Sequence, residues 1–170
     1  VDQRFAFHGT VLSGAPKLEP RWKRGVSTVE GALGDAVGKL YVKEHFPAER
    51  KARMEALVKN LLAAYRQSID TLDWMSPATK KEAQAKLAKF TPKIGYPNKW
   101  KEYASLAVKR DDLVGNVMRS REVEYARELN KLGKPVDRDE WLMTPQTINA
   151  YYNPELNEIV FPAAILQPPF

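Results

Sequence analysis

The chain has no cysteine, which excludes disulfides, thiolate metal sites and a cysteine nucleophile from within it. Histidine is nearly as scarce, with His8 and His45 falling in different predicted elements. Glu44-His45 has no second histidine four residues on, so the His-Glu-x-x-His pair that sets two imidazoles on one helix face is missing. A catalytic zinc takes three protein ligands and keeps one open position, and two isolated histidines do not make that site. Long apolar runs are absent too: the longest are a few residues, against the roughly 20 that a membrane-spanning helix needs. No phosphate-cradling glycine loop, dinucleotide fingerprint or Gly-x-Ser-x-Gly elbow occurs. Composition and spacing therefore supply no catalyst and no metal ligand set.

What is present is the material of a folded protein. Apolar residues make up 44% of the 170 and charged residues 28%, with 4 Trp, 7 Tyr and 6 Phe, which excludes the disordered and collagen-like classes. The length fits one domain or parts of two. Lys and Arg number 27 against 21 Asp and Glu, but a surplus spread along the chain does not single out nucleic acid as a partner. The densest basic spot, Arg21-Trp22-Lys23-Arg24, reads as a Trp anchoring a helix entry with solvated cations beside it. Val1 stands at the start with no signal-like or anchor-like run behind it, so any targeting segment is expected upstream or already removed.

Helical spacing dominates the first three quarters. Leu33, Val37, Leu40 and Tyr41 recur at that spacing between Val29 and Phe46, with Gly31, Gly34 and Gly38 among them. Each glycine costs a helix roughly 1 kcal/mol, so their presence predicts a closely packed neighbouring backbone. After Pro47 a longer helix, about Ala48 to Leu72, carries Met54, Leu57, Val58, Leu61, Leu62, Tyr65, Ile69 and Leu72, which predicts one broad buried stripe. Ser76-Pro77 is an N-cap followed by proline at the first helical position, opening a third helix that buries Ala83, Leu87 and Phe90. Lys93 to Pro97 reads as a short extended piece. Asp111-Asp112 opens a long helix whose stripe of Val114, Met118, Tyr125, Leu129 and Leu132 ends at Gly133-Lys134-Pro135. Past Thr144-Pro145 the pattern turns β-like, with Ile148–Tyr152 and Glu158–Phe161 flanking Asn153-Pro154-Glu155-Leu156-Asn157 as a turn.

The carboxylate pairs Asp111-Asp112 and Asp139-Glu140 suit helix capping and the helix dipole. The terminal run from Ile148 to Phe170 is the better candidate for function. Strand addition asks only for an exposed edge whose backbone groups pair with an extended peptide. Asn149-Ala150 meets that need, since a small residue admits a ligand backbone and an Asn amide offers both donor and acceptor. The same two residues also fit an ordinary hairpin with Asn149 in a bend, the reading that these residues alone favour.

Asn149-Ala150-Tyr151-Tyr152, Asn157-Glu158-Ile159-Val160-Phe161-Pro162-Ala163 and Ile165-Leu166-Gln167-Pro168-Pro169-Phe170 closely resemble the segment just before the zinc-binding helix of neprilysin-family metalloendopeptidases. Earlier pieces agree in order: Ala36-Val37-Gly38-Lys39-Leu40-Tyr41-Val42, Leu72-Asp73-Trp74-Met75, Thr79-Lys80-Lys81-Glu82-Ala83, Ile94-Gly95-Tyr96-Pro97 and Asp139-Glu140-Trp141. The resemblance covers nearly the whole chain from about Trp22.

That resemblance implies a mainly α chain with a small β part, an incomplete thermolysin-like (zincin) catalytic lobe joined to part of a helical lobe. The division falls near residue 110, with 1–110 as helical shell and 111–170 as the start of the catalytic lobe. Asn149 and Ala150 then lie on an edge strand that binds the backbone of the peptide substrate, and Ile165 and Phe170 help line the pocket for the side chain after the scissile bond. The family's His-Glu-x-x-His helix, later Glu ligand and transition-state-stabilising His and Arg all fall beyond Phe170. Zinc is thus expected in the complete enzyme with none bound by this chain, which is inactive until a downstream polypeptide carrying the zinc helix completes it. The implied partners are a short peptide and that polypeptide, with no nucleic acid and no membrane segment in this chain. Many animal members carry Cys where this chain has Gly25, so a bacterial periplasmic or secreted enzyme is implied. The alternative, from another class, is a noncatalytic helical module that binds peptides or proteins.

Overall fold

The computed structural model describes residues 2–169. Within that range the elements run α1 (Asp2–Arg4) into a π-helical stretch (Phe5–Leu12), α2 (Arg21–His45), α3 (Ala48–Thr71), α4 (Pro77–Ala88), β1 (Thr91–Gly95), α5 (Leu113–Leu129), β2 (Tyr151–Asn153), β3 (Glu158–Pro162) and a 3-10 turn (Ala163–Leu166). The chain is mainly helical with one small sheet, as the sequence leads one to expect.

Local chemistry sets most of these boundaries. The Ser76 Oγ accepts the Thr79 N–H at 3.1 Å, and Pro77 follows at the first helical position, so α4 begins where the cap signal stands. Asp112 caps α5 in the same way, its Oδ1 accepting the Gly115 N–H at 2.9 Å. The Arg119 guanidinium, with that amide, holds the Asp112 carboxyl below the usual carboxylate range. The other carboxylate pair is also held in structure: Asp139 donates its N–H to Asp137 Oδ1 at 2.9 Å, and Glu140 pairs with Lys131 at 2.6 Å.

Three strands form the sheet in the order β1-β3-β2, with β1 parallel and β2 antiparallel to the central β3. One face packs on the helices through a core of Phe46, Val58, Ile94, Ala163 and Leu166, with Phe161 and Ile165 half-buried against it. Phe46 meets Tyr96 edge-on at 6.3 Å between ring centroids. It also lies under Gly95, whose φ of +77° and lack of a side chain let the aromatic ring approach: a Cβ there would sit 2.5 Å from the ring.

The helical stripes turn out differently from their periodicity. On α3 only Val58 is buried, while Leu57, Leu61 and Tyr65 are exposed; the broad stripe divides, because α4 and β1 together cover only part of it. On α5 the arrangement is inverted. Val114, Met118, Tyr125, Leu129 and Leu132 face outward, and the helix buries polar Ser120, whose Oγ donates to the Ala32 carbonyl of α2 at 2.9 Å. Trp22, expected to anchor a helix entry, sits within the first turn of α2 and is 67% exposed. Of the three helical glycines, Gly34 and Gly38 meet Thr144, Pro145 and Gln146 at close range, whereas Gly31 faces open space.

An ionic network completes the α2–α5 junction. Lys101 and Arg127 pair with Glu124 at 2.7 and 2.8 Å, Arg127 lies over the Tyr103 ring at 4.9 Å, and the Tyr103 hydroxyl accepts the Asp35 N–H at 3.3 Å. Burial pushes the Glu124 carboxyl up, but hydrogen bonds from Lys101 and Arg127 outweigh it and hold the group below its ordinary value. Asp35 goes the other way, pushed up by burial against the pull of Lys101. A carboxyl held low stabilises the fold above its unfolded pKa, about 4.3 for Glu, and loses that contribution as pH falls through the folded value. Glu124→Gln is therefore expected to flatten the fall in Tm on acidification below about pH 5, read by thermal unfolding across a pH series. An unchanged acid limb would remove Glu124 as its cause.

Candidate functional site

The outer side of β2 carries no paired strand among the described residues, so its backbone is a free sheet edge. Asn149 and Ala150 lie immediately before it, since the strand opens at Tyr151 and not at Ile148. The reason lies on β3. Tyr151 pairs with Val160, and continuing that register sets Asn149 opposite Pro162, which has no N–H to give to the ladder.

This lead-in is held on three sides. Thr147 donates its N–H to the Thr144 carbonyl at 3.0 Å, and Asn149 donates to the Thr147 carbonyl at 3.0 Å, so the segment is a compact turn rather than a strand. Gln146 Nε2 donates to the Gly34 carbonyl of α2 at 3.0 Å. Ala164 of the 3-10 turn donates to the Pro145 carbonyl at 2.9 Å. Within it the exposed Asn149 uses its Oδ1 to accept the Ala150 N–H at 2.8 Å. Its amide nitrogen makes no hydrogen bond among the described residues, leaving two donors for another partner.

Ile165 sits in the 3-10 turn, half-buried against the Phe46 core. Phe170 lies outside the described residues. Gln167 fixes the run between them, accepting from Arg50 Nη1 at 2.6 Å and donating to the His45 carbonyl at 3.1 Å. A shallow, mostly apolar cavity of about 430 Å³ runs along β2, lined by Leu142, Met143, Tyr151, Tyr152, Asn153 and Pro154. None of Asn149, Ala150 and Ile165 lines it.

The hairpin turn agrees with its sequence. Asn153 Oδ1 accepts the Glu155 and Leu156 N–H groups at 3.1 and 3.3 Å, and Asn157 takes the left-handed conformation at φ 52° that Asn tolerates.

A feature not legible in the sequence lies under this hairpin. Lys93 of β1 and Glu158 of β3 form an ion pair at 2.7 Å with side chains 9% and 2% exposed. Parallel pairing sets Thr91 against Glu158 and Lys93 against Val160, so alternate residues of both strands share one face. Lys93 Nζ also donates to the Glu140 carbonyl at 2.8 Å, while Glu158 Oε1 is buried and unpartnered among the described residues. Tyr151, on the same face, accepts the Leu142 N–H through its hydroxyl at 3.0 Å. Burial pushes this phenol up, with the Glu158 and Glu140 carboxylates adding to the shift. The one available signal was an opposite-charge pair at matching parity in two short strands.

Among the described residues no three His, Cys, Asp or Glu side chains gather as a metal requires. His45 is exposed at the end of α2 with its ring 5.1 Å from that of Tyr41, and His8 abuts Phe7 at 5.2 Å. These residues do not fit a zinc site, and no step through zinc is assigned to them. No helix among the described residues is long and apolar enough to cross a membrane.

Comparison with known proteins adds three findings. Models of peptidase family M13 match residues 1–97 and residues 149–170. Human neprilysin is 37% identical over 177 aligned positions, 99% of this chain and 24% of neprilysin, and the neutral endopeptidase of Lactobacillus helveticus is 39% identical over 94% of the chain and 25% of its own length. Among solved structures, Mycobacterium tuberculosis zinc metalloprotease ZMP1 in complex with an inhibitor aligns with TM-score 0.90 and 63% identity, covering 99% of this chain and 25% of that one. PepO from Lactobacillus rhamnosis aligns with TM-score 0.86 and 37% identity, over 96% and 26%. The chain thus spans about a quarter of the length of the relatives it matches.

Proposed function

The chain belongs to peptidase family M13, and from that membership we propose that it is the substrate-binding portion of a zinc-dependent endopeptidase acting on short peptides. The observation that carries the proposal is the free outer edge of β2, entered through Asn149 and Ala150. An extended peptide adds to such an edge by backbone hydrogen bonds, with Asn149 supplying its amide donors at the lead-in and Ala150 leaving room for the peptide backbone. Ile165 and Phe170 take the side chain that follows the scissile bond. In this reading residues 1–110 contribute helical shell and 111–170 the beginning of the catalytic lobe.

Zinc belongs, on this proposal, to polypeptide outside the chain. Two observations support a covering polypeptide: the relatives are about four times as long, and the apolar stripes of α3 and α5 stand open, as surfaces that meet protein do. When bound in the complete enzyme, zinc supplies Lewis-acid chemistry at the peptide carbonyl; this chain's part is to hold the peptide in register. Absence of Cys together with 63% identity to a mycobacterial metalloprotease supports a bacterial enzyme, which we place in the periplasm or outside the cell.

The purified chain alone is expected to hold no stoichiometric zinc and to cleave no peptide, with both properties returning when the rest of the enzyme is present. Metal analysis finding one tight zinc per isolated chain would overturn the assignment of zinc to other polypeptide. A chain that bound peptides while its complete form never cleaved them would favour the noncatalytic module.

A further inference from the structure

We infer that the buried Lys93–Glu158 pair is a positioning device for the peptide-binding edge, acting through the segment Glu140–Leu142; the inference rests on the substrate-strand reading of Asn149 and Ala150. The connection is continuous in the geometry. Lys93 is fixed to Glu158 of the central strand at 2.7 Å and reaches across to the Glu140 carbonyl at 2.8 Å. Two residues on, the Leu142 N–H is taken by the Tyr151 hydroxyl at 3.0 Å, and Tyr151 is the first residue of β2. The Glu140–Leu142 segment is thereby tied at one end to the β1–β3 pair and at the other to the residue that follows Asn149-Ala150.

The composition of this clamp argues for a role beyond holding the sheet together. A buried ion pair is poor at adding stability, because desolvation of both charges offsets their attraction, and apolar residues of similar volume often serve as well. Here the desolvation is nearly complete and one carboxylate oxygen is left without a partner among the described residues, which makes the pair an expensive way to fill space. What it does supply is direction. Lys93 aims two donors at two fixed acceptors on different segments, which an apolar pair does not do, and so sets where Glu140–Leu142 lies over the sheet. β2 has only three residues and pairs on one side, so its placement depends on such lateral ties.

The test uses the complete enzyme and a short internally quenched peptide as substrate. Two variants break the tie in different places: the double variant Lys93→Met with Glu158→Leu removes both charges and keeps volume, and Tyr151→Phe deletes only the hydroxyl acceptor. Each is expected to raise KM roughly tenfold with kcat held within about threefold, at retained zinc content and cooperative unfolding. A merely structural role would lower the active fraction, and hence kcat, without moving KM. Asn149→Ala is measured beside them. Unchanged KM in the folded clamp variants with Asn149→Ala impaired overturns the positioning role and leaves the substrate strand standing. An unimpaired Asn149→Ala overturns the strand reading and this inference with it. Should the double variant fail to fold, Tyr151→Phe decides alone.

Discussion

Asn149→Ala in the complete enzyme is expected to lower kcat/KM for short peptides by roughly ten- to a hundredfold while shifting stability by less than about 0.5 kcal/mol. The asymmetry follows from where the side chain stands. Asn149 is exposed, and its one hydrogen bond within the described residues accepts the neighbouring Ala150 N–H. Removing it leaves no buried group unpaired, so the fold has little to lose. A bound peptide, in contrast, loses the two amide donors that hold it at the entry to β2, so its hold on the site weakens and kcat/KM falls. Steady-state kinetics and thermal unfolding on the same preparation check both halves. Wild-type kinetics would remove Asn149 from the site.

Phe46→Ala is expected to have the largest effect on stability, about 3–5 kcal/mol. Phe46 is 1% exposed at the centre of the cluster with Val58, Ile94, Ala163 and Leu166. It meets the end of α2, the strand β1 through Gly95, and the 3-10 turn that carries Ile165. The neighbours cannot collapse into the void without moving the sheet off α3, so the transfer and cavity contributions add. Urea unfolding gives the measurement, with an unchanged slope and a lower midpoint as the signature of lost native packing. A loss below about 1 kcal/mol would mean that the helices and sheet hold together without this ring.

The difference between these two residues is also a difference in legibility. Asn149 is singled out in the sequence by a long motif and by local chemistry, a small residue beside an amide, and the structure adds its exposed place just before β2. Ile165 is singled out by the same motif, but the turn that buries half of it against Phe46 is not legible there. The hairpin followed from Asn153 and Asn157, whose side-chain and backbone preferences act within four residues. The Ser76 and Asp112 caps were likewise local. The β-like pattern begins at Ile148 but β2 begins at Tyr151, because Pro162, in another strand, has no N–H with which to continue the ladder.

By itself the sequence determined the helix breaks at Pro47, Ser76 and Asp112, the turn of the terminal hairpin, and the motifs that place the chain in its family, because each depends on residues close together along the chain. Only the tertiary structure decided which helix face turns inward. Periodicity tells which side chains share a face of α5, but the interface that buried Ser120 and left Met118 and Tyr125 outside was chosen by what α2 and the 101–107 segment offered. It alone also brought Lys93 to Glu158. That contact exists because β1 and β3 lie parallel in one register, and no local preference of either strand specifies its partner.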